Sequence, residues 1–386
     1  MGYRPALDGL RAFAVIAVVL FHATSSYSWQ YKGGFLGVDV FFVISGCLIT
    51  LLLLAEHERT HTVSLPAFYG RRALRLLPAL VLTIVWVGVA IEVTGWRGGQ
   101  SYVKSAVEAL FYVANWASLQ GAKSPLGYLT HTWSLSIEEQ FYLIWPGVLL
   151  LLLRRRVSRR HLLAGVTALI ALVVVVRAAG WLAVGGVAHY RFFYLSTVTR
   201  ADCILVGVAL GIAVTDDRLR ARLRWADSTA VAAAAAGALV LVTFTTRVVS
   251  GWYYLGGATV VALLAAVLVA HGLSRDSGPV ASVLAWKPLV HVGRRSYGLY
   301  HVHLPLIVFL SRANNEWVHA RGSVFVLAAI VASLVAAEAS WTLVERPFLL
   351  LKDRRLEPPR ADVVPVRDEQ PWVAAAGVVP SGEAAR

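Results

Sequence analysis

The chain has 386 residues, 58% of them hydrophobic and only 15% charged, with a mean hydropathy of +0.64 and a formal net charge of +14. A soluble domain of this size cannot hide so much apolar surface. Apolar runs of about twenty residues recur, which excludes a soluble globular enzyme and points to an all-α, polytopic integral membrane protein.

The positive charge does not imply a nucleic-acid partner, because arginine-rich loops on one side of a membrane account for it. No signal peptide is expected: the first apolar helix is long, lacks a small-residue cleavage site and is followed by further spans. Cys47 and Cys203 both fall in apolar stretches, so no disulfide framework is expected.

In chain order, the apolar windows predict ten spans, near residues 10–29, 35–55, 77–95, 139–153, 161–184, 199–215, 228–246, 253–271, 296–311 and 323–344. The stretch 104–119 is also apolar, but charge argues against an eleventh crossing. Ten alternating spans put 23 lysines and arginines on one side, among them Arg71, Arg72, Arg75 and the run Arg154–Arg156, and eight on the other. That bias makes the first side cytoplasmic and places both termini there. Residues 104–119 then form an interfacial or re-entrant helix in a long outer loop, 96–138. Trp96, Trp116, Trp252 and Tyr253 fit interfacial aromatic belts. The membrane domain is expected to cover 1–351. Residues 352–386, with Pro358, Pro359, Pro365, Pro371 and mixed charges, read as a disordered tail.

The first stretch with chemical character is Tyr3–His22, a basic, turn-rich head leading into an apolar helix with a lone histidine. Eleven helical residues separate Arg11 from His22, about 16 Å at 1.5 Å per residue. With Arg11 at the cytoplasmic surface, His22 lies about halfway through a hydrocarbon core of roughly 30 Å. A histidine at that depth faces a cavity or a partner, or packs as a hydrogen-bonded structural residue.

Phe68–Pro78 carries Arg71 beside Arg72 and Arg75, the last two sharing a helix face and presenting planar forks suited to phosphate. A plain positive-inside anchor is the alternative. In His131–Tyr142, Ser136 and Glu139 fit a capping box, with Trp133, Glu138 and Tyr142 adding polarity before a span. Arg200 and Asp202 are expected to pair with other helices. His301 and His303 are two apart and point to different helix faces, a poor spacing for a shared metal, so no metal site is expected. Glu345-Arg346-Pro347 closes the last span.

The segments RPALDGLRAFAVIAVVLFH, GGFLGVDVFFVISGCLIT, FYGRRALRLLPAL, HTWSLSIEEQFYLIWP, SYGLYHVHLPLI and VERPF resemble, in order, the membrane-bound acyltransferase 3 family, across nearly all of residues 3–349. The resemblance implies transfer of an acyl group, usually acetyl from acetyl-CoA, to a hydroxyl of a saccharide or secondary metabolite. It implies His22 as the catalytic residue, paired with Arg11, and Arg72 and Arg75 as a second motif. Arg11, Arg71, Arg72 and Arg75 are then expected to hold the phosphates of acyl-CoA, a co-substrate rather than a bound cofactor. Asp39, Trp133, Ser136, Glu138, Tyr142, His301, His303 and Glu345 are further candidates.

The expected partners are the bilayer of the plasma membrane, acyl-CoA and a hydroxyl-bearing acceptor. Some family members carry an appended extracytoplasmic hydrolase-like domain. Its absence from these 386 residues leans the acceptor toward a small glycosylated or polyketide-type metabolite. The alternatives are a transporter with His22, Asp39 and Glu338 in a proton or substrate path, and a scaffold without chemistry.

Overall fold

The computed structural model describes residues 3–27, 30–96, 102–119, 127–275, 277–313 and 322–356. Every regular element among them is helical. Ten helices have 17 residues or more: α1 (Pro5–Ala23), α2 (Gly37–Thr60), α3 (Leu65–Thr94), α4 (Thr132–Arg154), α5 (Arg159–Ala183), α6 (Thr197–Val214), α7 (Thr229–Thr245), α8 (Ala258–Ser274), α9 (Ser296–Ala313) and α10 (Gly322–Ser340). Each falls on one of the ten windows read from the sequence. Eight helices are long and apolar enough to cross a membrane. Helix α8 reaches that length with the π-helical turn Tyr253–Gly257 ahead of it, and the exceptions are α7, which is apolar but has 17 residues, and α9, which carries His301, His303 and Arg312.

Local chemistry sets the ends. Ser64 and Ser158 cap α3 and α5 by accepting from the backbone N–H of Ala67 and His161. Pro66 supplies the favoured proline in the first turn of α3. Gly95 stops α3 in the left-handed region at φ 67°, its N–H bonded to the Ile91 carbonyl. Helix α1 runs over 5–23 rather than 10–29, because Pro5 starts it early and Thr24 folds its hydroxyl back onto the Leu20 carbonyl. The apolar stretch at 104–119 is broken at Tyr112, at φ 53°, into Tyr102–Leu110 and Ala114–Ala117. The nine-residue piece is about 13 Å long and cannot cross a membrane. The last helix continues through a π-helical turn, Trp341–Glu345, into Arg346–Leu356, past the expected domain edge at 351. The rest of the expected tail, 357–386, lies outside the described residues, as do 97–101 and 120–126 of the expected outer loop.

Helices α1, α2, α6 and α8 supply most of the side chains of the main apolar core. Helices α2 and α6 touch backbone to backbone: a Cβ on Gly46 would sit 2.1 Å from the Ile204 carbonyl, and one on Gly207 would sit 2.1 Å from that of Val43. Around this centre α3, α5 and α10 turn Val85, Val93, Leu172, Val175, Leu327 and Val335 outward. An apolar exterior around a polar-containing interior is the signature of a protein whose solvent is lipid. Helices α1 and α9 run side by side in one direction: Gly293, just before α9, abuts the Asp8 carbonyl, and His303 of α9 reaches His22 of α1.

Candidate active site

The arginines of α3 have different fates. Arg71 reaches Glu56 of α2 at 3.4 Å. Arg72 places its fork on Glu139 of α4, with Nε 3.2 Å from both carboxylate oxygens and a terminal nitrogen 2.8 Å from Oε1. Its guanidinium carbon lies 3.1 Å from the ring centre of Tyr142, one turn along α4. Arg75 and Arg11, by contrast, have no hydrogen-bond or ion-pair partner among the described residues, and the Nε of Arg11 is buried. The two lie in each other's field, with Arg72, Asp8, Glu138 and Glu345 around them. Glu138 accepts from Ser45 at 3.2 Å, and Glu345, turned inward by the π-helical segment, accepts from Ser340 at 2.9 Å.

The cluster lies within the helices: Arg11 is six residues, about 9 Å, from the start of α1, Arg72 seven residues, about 10 Å, from that of α3, and Glu139 fifteen residues, about 22 Å, from Arg154 of α4. His22, about 16 Å further along α1, sits past the middle of the bundle, in the last turn of its helix.

Between the arginines and His22 runs a column of polar side chains from α4 and α9. Ser134 and the Tyr300 hydroxyl are 2.5 Å apart, and Tyr300 donates to the His131 carbonyl at 3.1 Å. The His131 ring, at the start of α4, stands 5.4 Å from that of His303 and 6.2 Å from that of His301, so both α9 histidines, two residues apart, come against it. All four ring nitrogens of His131 and His301 are buried without a partner among the described residues. His303 Nε2 is 3.1 Å from His22 Nδ1, which also lies 3.0 Å from the Val18 carbonyl. His22 Nε2 has no partner among the described residues, and the residue is only half-buried.

Other sequence candidates are placed elsewhere or do other work. Asp39 is fully buried in an ion pair with Arg200 and accepts from the Tyr253 hydroxyl at 2.8 Å. Tyr253 is thus a core residue and not part of an interfacial belt. Trp133 packs on Tyr194, ring centres 4.6 Å apart, and Tyr194 in turn faces Arg200. Ser136 is not an N-cap: α4 begins at Thr132, and the Ser136 hydroxyl bonds back to the Thr132 carbonyl at 3.0 Å. Glu338 is 41% exposed and held by Arg295 and His291, so His22, Asp39 and Glu338 line no common path.

Arg200 and Asp202 do pair with other helices, Asp202 with Arg177 of α5 at 2.7 Å. The sequence reading missed Arg177, although it is the only arginine, lysine or acid in 161–183. It also passed over His131 and Tyr300.

The acyltransferase 3 family model, described as an acyltransferase domain, matches residues 4–340. The peptidoglycan O-acetyltransferase OatA of Listeria monocytogenes is 35% identical over 366 residues, 90% of this chain and 56% of that protein. The O-acetyltransferase OatA of Staphylococcus aureus is 33% identical, with 90% and 57% covered, and the putative peptidoglycan O-acetyltransferase YrhL of Bacillus subtilis is 34% identical, with 90% and 55% covered. The chain thus spans little more than half the length of these relatives. No solved structure matches it. Six quoted segments in family order, a match from residue 4 to residue 340 and an arginine–histidine pair on one buried helix agree: this chain belongs to the acyltransferase 3 family of integral membrane proteins.

Proposed function

We propose that this protein is an O-acetyltransferase of the plasma membrane that moves acetyl from acetyl-CoA to a saccharide hydroxyl. The observation that carries the reading is the pairing, along α1, of an arginine without a partner and a histidine with an uncommitted ring nitrogen. Arg11 and Arg75 are the two cations of the cluster free to take an anion, and the phosphates of CoA are such an anion. Arg71 and Arg72 are held by glutamates and tie α3 to α2 and α4 instead. The pantetheine arm would run along the Ser134–Tyr300–His131 column, with its thioester toward His22.

There His22 Nε2 takes the proton from the acceptor hydroxyl. The oxygen attacks the thioester carbonyl carbon, the C–S bond breaks, and the departing thiolate recovers the proton from the imidazolium. The unpartnered N–H groups of His131 and His301 are suited to the developing oxyanion. His22 could also carry the acetyl itself between two half-reactions, a route favoured by its place between the inner arginines and the opposite end of the bundle.

The names of two of the three relatives, those from Listeria monocytogenes and Bacillus subtilis, favour a cell-wall glycan as acceptor over the small metabolite that the sequence alone suggested. The test is transfer of radiolabel from acetyl-CoA to muropeptides in membranes containing the protein. Label reaching no glycan fraction would reject the saccharide assignment.

Two further outcomes are expected. Arg75→Ala should weaken acetyl-CoA binding by roughly 10- to 140-fold, from the loss of about 1.5–3 kcal/mol for a hydrogen bond to a charged group. Lysine should rescue it in part. Arg72→Ala should act mainly on stability, by freeing Glu139. Calorimetric titration and thermal denaturation of both variants separate the two roles, and equal affinity losses would contradict them.

The arginine-rich end should face the cytoplasm. Cys47 and Cys203 are buried, so a cysteine at Lys104 should react with an impermeant maleimide in intact cells, and one at Ser158 should not. The reverse pattern would invert the topology.

A further inference from the structure

His303 carries the next step, which rests on the reading of His22 as the base. Its Nδ1 lies 2.7 Å from the Tyr300 carbonyl and 3.2 Å from the Leu299 carbonyl. Carbonyls only accept, so Nδ1 holds a hydrogen. The ring is fully buried and no carboxylate contacts it. An unpaired charge there would be costly, so the ring is neutral. A neutral imidazole has one donor nitrogen and one acceptor, so Nε2 is bare. That bare nitrogen faces His22 Nδ1 at 3.1 Å. The other neighbour of His22 Nδ1, the Val18 carbonyl, also accepts, and as the i−4 carbonyl it already serves the helical N–H of residue 22. Both neighbours demand a hydrogen on Nδ1. The lone pair of His22 is therefore on Nε2, the nitrogen that faces no protein group among the described residues.

We propose that His303 is a positioning residue that fixes the tautomer and ring orientation of His22. Were His303 to hold its hydrogen on Nε2, it would donate to His22 Nδ1, push the His22 hydrogen onto Nε2 and remove the base. The two carbonyls of α9 exclude that arrangement. When His22 takes the proton of the acceptor hydroxyl, its Nδ1–H remains hydrogen-bonded to His303, which thus fills the place of the orienting third group in a catalytic triad. A buried neutral imidazole suits this site because it accepts one hydrogen bond without placing a permanent charge in the membrane.

The experiment is ¹⁵N magnetic resonance of histidine-labelled full-length protein in lipid, with the His22 signals identified by their loss in His22→Gln. The wild type should show a protonated Nδ1 and a bare Nε2 at His22. His303→Phe keeps the ring volume and removes the acceptor. It should bring in the other tautomer and lower kcat by roughly 10- to 100-fold, below the roughly 10²–10⁴ for loss of the base itself, with acetyl-CoA affinity unchanged. In His303→Gln the amide oxygen can accept where Nε2 stood, and it should restore the tautomer and most of the rate. A bare Nδ1 in the wild type overturns the proposal without any variant at 303. So does a His303→Phe protein with unchanged tautomer and kcat, or a glutamine that rescues no better than phenylalanine. If His22→Gln keeps its turnover, the base assignment fails, while the wild-type spectrum still decides whether His303 orients the ring.

Discussion

His22→Gln should fold, bind acetyl-CoA with near-normal affinity and turn over at least roughly 10²-fold more slowly than the wild type, in line with the roughly 10²–10⁴ that general-base catalysis supplies. Glutamine fills similar space and can hydrogen-bond to Val18 and His303, but it cannot accept a proton at neutral pH. No residue between Arg11 and His22 on α1 can titrate, so the helix offers no substitute. His303 has both nitrogens committed, one to backbone carbonyls and one to His22. Affinity should survive because Arg11 is about 16 Å away along the helix. Initial rates with radiolabelled acetyl-CoA, alongside equilibrium binding on monodisperse protein, give both quantities. Near-normal turnover would make His22 a packed structural histidine and move the search for the base to His131 and His301, whose ring nitrogens are unpartnered.

The largest loss of stability should come from Arg177→Met. Arg177 is fully buried at the junction of α5, α6 and α8. It donates to Asp202 at 2.7 Å, to the Thr199 and Tyr254 carbonyls at 2.8 and 3.1 Å, and to the Thr259 hydroxyl at 3.1 Å, while Thr259 in turn donates to Asp202 at 2.5 Å. Methionine keeps the apolar stem and leaves the Asp202 carboxylate without its counter-ion. Breaking a buried pair from one side costs about 3–5 kcal/mol. The double variant Arg177→Met with Asp202→Asn should recover part of that loss, because the uncompensated charge is gone. Thermal denaturation in detergent measures both variants. Equal stability of Arg177→Met and wild type would mean that the pair contributes nothing.

Helix existence was legible because the hydrophobic effect writes it into long apolar windows, and each of the ten windows contains a helix. Neighbours were not legible. Arg11 reads as a lone positive charge near the start of a span; only the packing of α1 brings it into the field of Arg75, Glu138 and Glu345. Arg72 and Arg75 looked equivalent because they share a face, but Glu139 lies 67 positions further along the chain and no spacing rule connects them. Ser136 fitted a capping box by pattern, and the helix simply starts four residues earlier. His131 was hidden for a related reason: it gains meaning only when α9 brings His301 and His303 against it.

The glycine contacts between α2 and α6 bear on how the protein could move. Two helices in backbone contact through Gly46 and Gly207 cannot slide or roll without collision, so they behave as a rigid keel. Any breathing that lets a nucleotide-sized donor in at one end and releases product at the other must fall on the lipid-facing helices, foremost α3 and α10, which pack less deeply than the keel and carry Arg75 and, in the π-helical turn that continues α10, Glu345. Amide exchange should then be slowest along the keel and fastest in the flanking pair, and membrane thickness, which presses on the outer helices first, should tune turnover before it touches stability.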